Sequence, residues 1–197
     1  MKILILFAHP ALHKSNINRH LIDGLDKIEG VTFHDLYEVY PDYDIDIKAE
    51  QKLLTEHDCI IFHHPMYWYS MPALLKEWMD LVLSHGWAYG SEGTALKGKL
   101  FLSVLTTGGP RQAFLPTGLH KHTVNELLVP LDLTVRRCGM IGLPPFVIHG
   151  TYAMEFEELN MLKDKYRMLL KLIADDVLIV EEVSSLEYLN DYNLLEV

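Results

Sequence analysis

Short unbroken apolar runs alternate along this chain with stretches in which apolar residues recur at helical spacing. Residues 2–8 (KILILFA) form one such run, ended by His9 and Pro10, the pattern of a parallel strand covered on both faces. From Ser15 onward Ile17, Leu21, Gly24, Leu25 and Ile28 follow a helical period behind a serine able to cap a helix start. VTFHDLY at 31–37 reads as a second strand, 47–57 as a short helix, and DCIIFHH at 58–64 as a third strand closing at Pro65. A helix over 72–84, a strand at 99–106, a helix over 120–137, a strand at 145–149 and a covering helix over 155–175 complete the series. Such alternation predicts an α/β protein whose parallel strands are joined by right-handed crossovers.

Five strands in this span predict a flavodoxin-like doubly wound five-stranded parallel sheet of order 2-1-3-4-5 over residues 1–176. Residues 177–197 read as an acidic C-terminal extension, with enough Leu, Val and Tyr to dock on the body. At 197 residues and 49% hydrophobic content the chain suits one sizeable core. Each apolar run falls short of the roughly 20 residues a membrane span needs, and MKILILFAHP turns polar too soon for a secretory signal. A cytoplasmic protein is expected. Cys59 and Cys138 show no metal-ligand spacing and read as packing residues of a reducing compartment, so no metal is expected. A formal net charge of -10 argues against nucleic-acid binding. No basic residue follows Lys171, whereas Asp175, Asp176, Glu181, Glu182, Glu187, Asp191 and Glu196 do. Those charges suit solubility or a basic partner.

Ligands of open parallel sheets bind beyond the carboxyl ends of the strands, which singles out three loops. The first, His9 to Asn18, leads into a helix start, where free N–H groups, the helix dipole, His9, Ser15 and Asn18 suit an anion such as phosphate. A plain capped helix is the alternative reading of those residues. In the second, Tyr67, Trp68 and Tyr69 stand between Pro65-Met66 and Met71-Pro72, an extended aromatic wall suited to a flat ring, or a satellite apolar cluster. The third, Thr106-Thr107-Gly108-Gly109-Pro110-Arg111, lets backbone N–H groups approach a ligand closely, or is a tight turn.

With AHP at 8–10, Ser15 and Asn18, PMYWYSMPALLKEWMD at 65–80, GWAYG at 86–90, TTGG at 106–109, and CGM with LPPFVIHG at 138–150, the chain resembles the flavodoxin-like NAD(P)H:quinone oxidoreductase family. Within it, the chain is most similar to the cytosolic ancillary subunits of Kef-type potassium-efflux systems. The resemblance implies FMN, or FAD, with its phosphate against His9, Ser15, Ile17 and Asn18. The flavin ring would lie on Pro65, Met66, Tyr67, Trp68 and Tyr69, with donors from Thr106, Thr107, Gly108 and Gly109. It further implies hydride transfer from NADPH or NADH to the flavin and then to a quinone-like acceptor by ping-pong exchange; azo- or nitro-reduction is an alternative. A homodimer is implied as well, with Trp87 and Tyr89 facing the other chain's ring. So is a possible potassium-efflux transporter as partner, which would hold the protein at the inner face of the membrane. One departure stands out. Relatives of this kind often place a Tyr shortly after TTGG and a His six residues on, and here those positions are Phe114 and His120. His120 is the candidate proton donor, Phe114 lies where substrate would bind, and Arg111 is a candidate for a 2'-phosphate.

Overall fold

The computed structural model describes residues 1–193; of the acidic positions in the tail, Glu196 lies outside the described residues. Each apolar run forms a strand. β1 (Ile3–Phe7), β2 (Val31–Asp35), β3 (Cys59–Pro65) and β4 (Leu100–Thr106) pair in parallel in the order β2-β1-β3-β4. The fifth position is filled by two short pieces, β5 (Ile141–Gly142) against Leu100 and Phe101, and β6 (Phe146–Ile148) against Val104 to Thr106. The expected strand at 145–149 is β6. Between the pieces stands Leu143-Pro144-Pro145, and prolines without an N–H interrupt the ladder. The doubly wound order 2-1-3-4-5 is as the sequence predicts.

Helices fill both faces: α1 (Asn16–Ile22), α2 (Leu36–Val39), α3 (Ile47–Glu56), α4 (Ala73–Val82), α5 (Val124–Leu127), α6 (Val129–Arg137), α7 (Phe156–Ala174) and α8 (Val180–Val183). Strand alternation assigns the layers. Leu4 and Leu6 pack with Leu54 of α3, Leu75 and Trp78 of α4 and Val135 of α6, whereas Ile3 and Ile5 pack with Leu21 of α1, Leu169 and Ile173 of α7 and Val183 of α8. A fully buried Leu or Ile contributes about 1.5–3 kcal/mol, so these two layers supply most of the stability.

Local chemistry shifts some expected boundaries. α1 stops at Ile22 because Gly24 turns left-handed at φ 74°, and Leu25–Lys27 continues as a single 3-10 turn. The Asp35 carboxylate accepts from Tyr37 N–H and turns the end of the second run into α2. The helix expected over 120–137 is two, since Thr123 and Glu126 form a capping box at α5 and Pro130 opens α6. His120, Lys121 and His122 therefore precede the helix in a turn with Lys121 at φ 55°.

The tail is built into the body. Val183, Tyr188 and Leu189 are buried, and Leu189 N–H donates to the Pro145 carbonyl. The Asn190 side chain accepts from Val147 N–H at 2.7 Å and donates to Val147 C=O at 3.0 Å. It thereby takes the place of a further strand on the outer edge of β6. Glu187 and Asp191 pair with Arg111 at 2.6 and 2.9 Å, and the Arg111 guanidinium lies 4.6 Å from the Tyr188 ring centre.

Under the other face sits a buried carboxylate. Glu50 is 1% exposed and accepts from Tyr40 Oη at 2.6 Å, Trp78 Nε1 at 2.8 Å and His34 Nε2 at 2.8 Å. Burial by itself pushes this carboxyl up, but hydrogen bonds from His34, Tyr40 and Trp78 outweigh it and hold the group below its ordinary 4.5. A carboxyl held lower in the native than in the unfolded chain stabilises the fold fully above its unfolded value, and that contribution is lost as pH falls through the native value. Glu50→Leu should cost roughly 3 kcal/mol in urea unfolding at pH 7, since it strands buried donors. Glu50→Gln should flatten the loss of stability that the unmodified chain shows below about pH 4.5. An unchanged slope would remove Glu50 from the acid response.

Candidate functional site

Parallel pairing brings the strand ends side by side, with Phe7 opposite His63, Pro65 opposite Thr106 and Thr106 opposite Ile148. The loops after β1, β3, β4 and β6 converge there on an open cleft of about 290 Å³. His9, Ser15, Asn18, Pro65, Met66, Tyr67, Thr106 and Gly108 of the expected set line it. Ala11, Lys14, Thr151 and Tyr152 line it too and went unforeseen. The last two belong to the loop after β6, which the strand-end rule also covers.

The donor set of the first loop can be worked out bond by bond. Ser15 Oγ accepts from the Asn18 backbone N–H at 3.1 Å and from Asn18 Nδ2 at 3.0 Å, so its own hydrogen is left to point outward as a donor. Asn18 donates its other amide hydrogen to Thr106 Oγ1 at 3.2 Å and so ties the start of α1 to the end of β4. Its amide is a brace here, with both hydrogens engaged inside the chain. His9 Nδ1 accepts from Ala11 N–H at 3.1 Å. Burial lowers the His9 titration from its ordinary value, so the ring is neutral near pH 7 and carries its proton on Nε2. The N–H groups of Asn16 and Ile17 precede the first intrahelical donor, Arg19, and lack a partner among the described residues. The Ile17 side chain packs into the core, so that residue offers the site only its backbone. Together with Lys14 these donors suit a phosphate dianion.

After β3 the chain makes a two-residue turn in which Tyr67 and Ser70 exchange backbone hydrogen bonds at 2.9 and 3.0 Å. Its central residues are Trp68 at φ 47° and Tyr69 at φ 64°. Each bulky residue in that region costs about 1–2 kcal/mol, a cost usually avoided with Gly or Asn. The turn holds Trp68 92% exposed, next to Tyr67, which lines the cleft and whose ring meets His9 edge-on at 6.0 Å. Across the cleft, Tyr152 covers Gly108 so closely that a Cβ there would stand 2.2 Å from its ring.

In the third loop, Thr107 Oγ1 donates to Gly109 C=O at 2.8 Å and accepts from His149 Nδ1 at 3.1 Å. Burial foremost, with Arg111 nearby, pushes His149 down to about 4, so it braces the loop as a neutral ring. The N–H groups of Gly108 and Gly109 have no partner among the described residues and are available to ring acceptors. Over Gly109 lies His120, tilted against Phe114 with ring centres 4.5 Å apart and meeting Tyr69 at 5.3 Å. Trp87 and Tyr89 lie apart from the cleft. Both pack on the α4 side of the core, with Tyr89 under Arg137 in a separate groove between α4 and α6.

A family model described as flavodoxin-like fold matches residues 1–170. The chain belongs to this family. A glutathione-regulated potassium-efflux system ancillary protein, KefF of Enterobacter sp. (strain 638), is 45% identical over 166 residues, 84% of this chain and 93% of the relative. Among solved structures, general stress protein 14 of Treponema denticola in complex with FMN is 36% identical with a TM-score of 0.81, covering 90% of this chain and all of that one. An NADPH-quinone reductase of P. pentosaceus is 34% identical with a TM-score of 0.79, covering 86% and 97%. A protein described as a thermophilic tryptophan halogenase of Streptomycin violaceusniger is 42% identical with a TM-score of 0.83, covering 85% and 97%. The flavodoxin-like fold thus carries differently named activities, and the activity of this member has to be argued from its site.

The turn strain has a measurable consequence. Trp68→Gly removes a large but nearly fully exposed side chain and relieves a left-handed bulky residue, so net stability should rise by ~0.5 kcal/mol in denaturant unfolding. A loss of more than about 1 kcal/mol would show that the indole is packed rather than presented.

Proposed function

We propose that this chain binds FMN in the strand-end cleft and serves as a flavin-dependent NAD(P)H:quinone oxidoreductase. The observation that carries the reading is two unpartnered donor sets at one cleft: His9 Nε2 and Ser15 Oγ of its lining with the N–H groups of Asn16 and Ile17 next along the chain, and Gly108 N–H of its lining with that of Gly109 beside it. A phosphate fits the first, the acceptor edge of a flat ring fits the second, and Tyr67 and Trp68 supply the wall between. FMN, when bound, would supply two-electron hydride chemistry, accepting from NAD(P)H and passing to a quinone. The chain's part is to fix the ring, present fixed donors where negative charge accumulates, and hold His120 beside them. FMN is preferred to FAD because the similar Treponema denticola protein is described with FMN.

Arg111 is engaged by Glu187 and Asp191, which leaves it poorly placed to select a 2'-phosphate, so a single nucleotide is not assigned. The ancillary reading has its own support in the KefF likeness. In that reading the basic partner surface would meet Asp175, Asp176, Glu181 and Glu182, which are exposed, rather than Glu187 and Asp191. A second copy of the chain, with Trp87 and Tyr89 toward its neighbour's site, belongs to the same proposal.

Titration of the flavin-free chain with FMN should quench flavin fluorescence stoichiometrically, and NADPH or NADH should then bleach the flavin until a quinone restores it. A chain that takes up neither FMN nor FAD overturns the reading. His9→Ala combined with Ser15→Ala should weaken FMN binding by about tenfold or more, the loss of one or two charge-assisted hydrogen bonds. Unchanged affinity would place the phosphate elsewhere.

A further inference from the structure

Phe114 raises a question that the cleft itself answers. His120 is anchored through its backbone N–H to Ala113 C=O at 2.9 Å, and its ring is held between Phe114 and Tyr69. Phe114 is 4% exposed and offers no hydroxyl. Tyr69 approaches from the loop after β3, and its Oη lies 3.4 Å from His120 Nδ1, the polar partner of that ring. The opposite nitrogen, Nε2, stands 3.4 Å from where a Gly109 Cβ would be, in a loop whose Gly108 and Gly109 N–H groups have no partner among the described residues. Contacts of this length in ligand-free sites tighten when the site fills. The backbone is committed to the arrangement: Tyr69 reaches His120 from a turn position with φ 64°, which non-glycine residues seldom occupy.

We propose that Tyr69 is the positioning residue of this site, supplying from the β3 loop the hydroxyl that Phe114 lacks. Its O–H donates to His120 Nδ1. That fixes the His120 ring in the Nε2–H tautomer and aims a third donor toward Gly109. A donor whose tautomer is fixed beforehand costs no reorganisation when charge develops there. The inference rests on the flavin reading above, but the tautomer of His120 is a property of the chain alone.

The test compares Tyr69→Phe, Phe114→Tyr and the double variant. In the flavin-free chain, 15N shifts of the His120 imidazole should report the Nε2–H tautomer. Tyr69→Phe should move both nitrogens toward a two-tautomer average, and the double variant should restore them. With FMN bound, Tyr69→Phe should slow flavin reduction by NAD(P)H about tenfold or more, with FMN affinity within about twofold, and the double variant should recover most of the rate. A His120 tautomer unmoved by Tyr69→Phe, or a rate within about twofold of the unmodified chain, overturns the proposal. Lack of recovery in the double variant overturns the claim that the two hydroxyls are interchangeable. Failure of the flavin reading shows separately, as no FMN uptake by any of the four proteins.

Discussion

Parallel pairing of β1, β3, β4 and β6 is the constraint from which the site follows. Every strand runs the same way, so each must hand its chain to a loop at the same end, and the lateral spacing of strands, roughly 5 Å, sets how far apart those loops begin. His9, Pro65, Thr106 and His149 are neighbours for that reason alone, though 140 residues separate the first from the last. The two apolar layers that hold the sheet flat between helices thereby also hold the donor groups in register. The Asn18 amide then crosses from α1 to Thr106 and locks the first loop to the third.

Much of this was legible in the residues. Short apolar runs bounded by polar or proline positions marked β1, β3 and β4, and their alternation with helical stretches pointed to the architecture. Three strand-end loops followed by position. What sequence could not resolve was the destination of individual hydrogens. Asn18 looked like a ligand for an anion, and its two amide hydrogens turn out to be used on Ser15 and Thr106. Arg111 looked free, and two carboxylates from the tail hold it. The Tyr69 contact with His120 joins positions 51 residues apart through strand register, which no local pattern announces. Tyr152 had a signal that was passed over, since its loop also leaves a strand at the ligand end.

Strain and rigidity divide the cleft unevenly. The His9 and α1 side is braced by ordinary caps and a neutral histidine at little cost. The side after β3 is built on Trp68 and Tyr69 in backbone conformations that bulky residues avoid. Stability is surrendered there while Trp68 stands clear of the body, and the deep packing of Glu50, Trp78 and the α4 layer lies on the far side of the sheet from α1 and α7.

The Asn190 side chain on Val147 has a bearing on how copies of this protein can meet. A bare outer strand is a template for another chain's strand. By mimicking a peptide group, Asn190 satisfies the exposed N–H and C=O of β6 with a single short side chain that cannot propagate a ladder. Asn190, beyond the family match that ends at 170, thus closes this stretch of the sheet margin to strand addition.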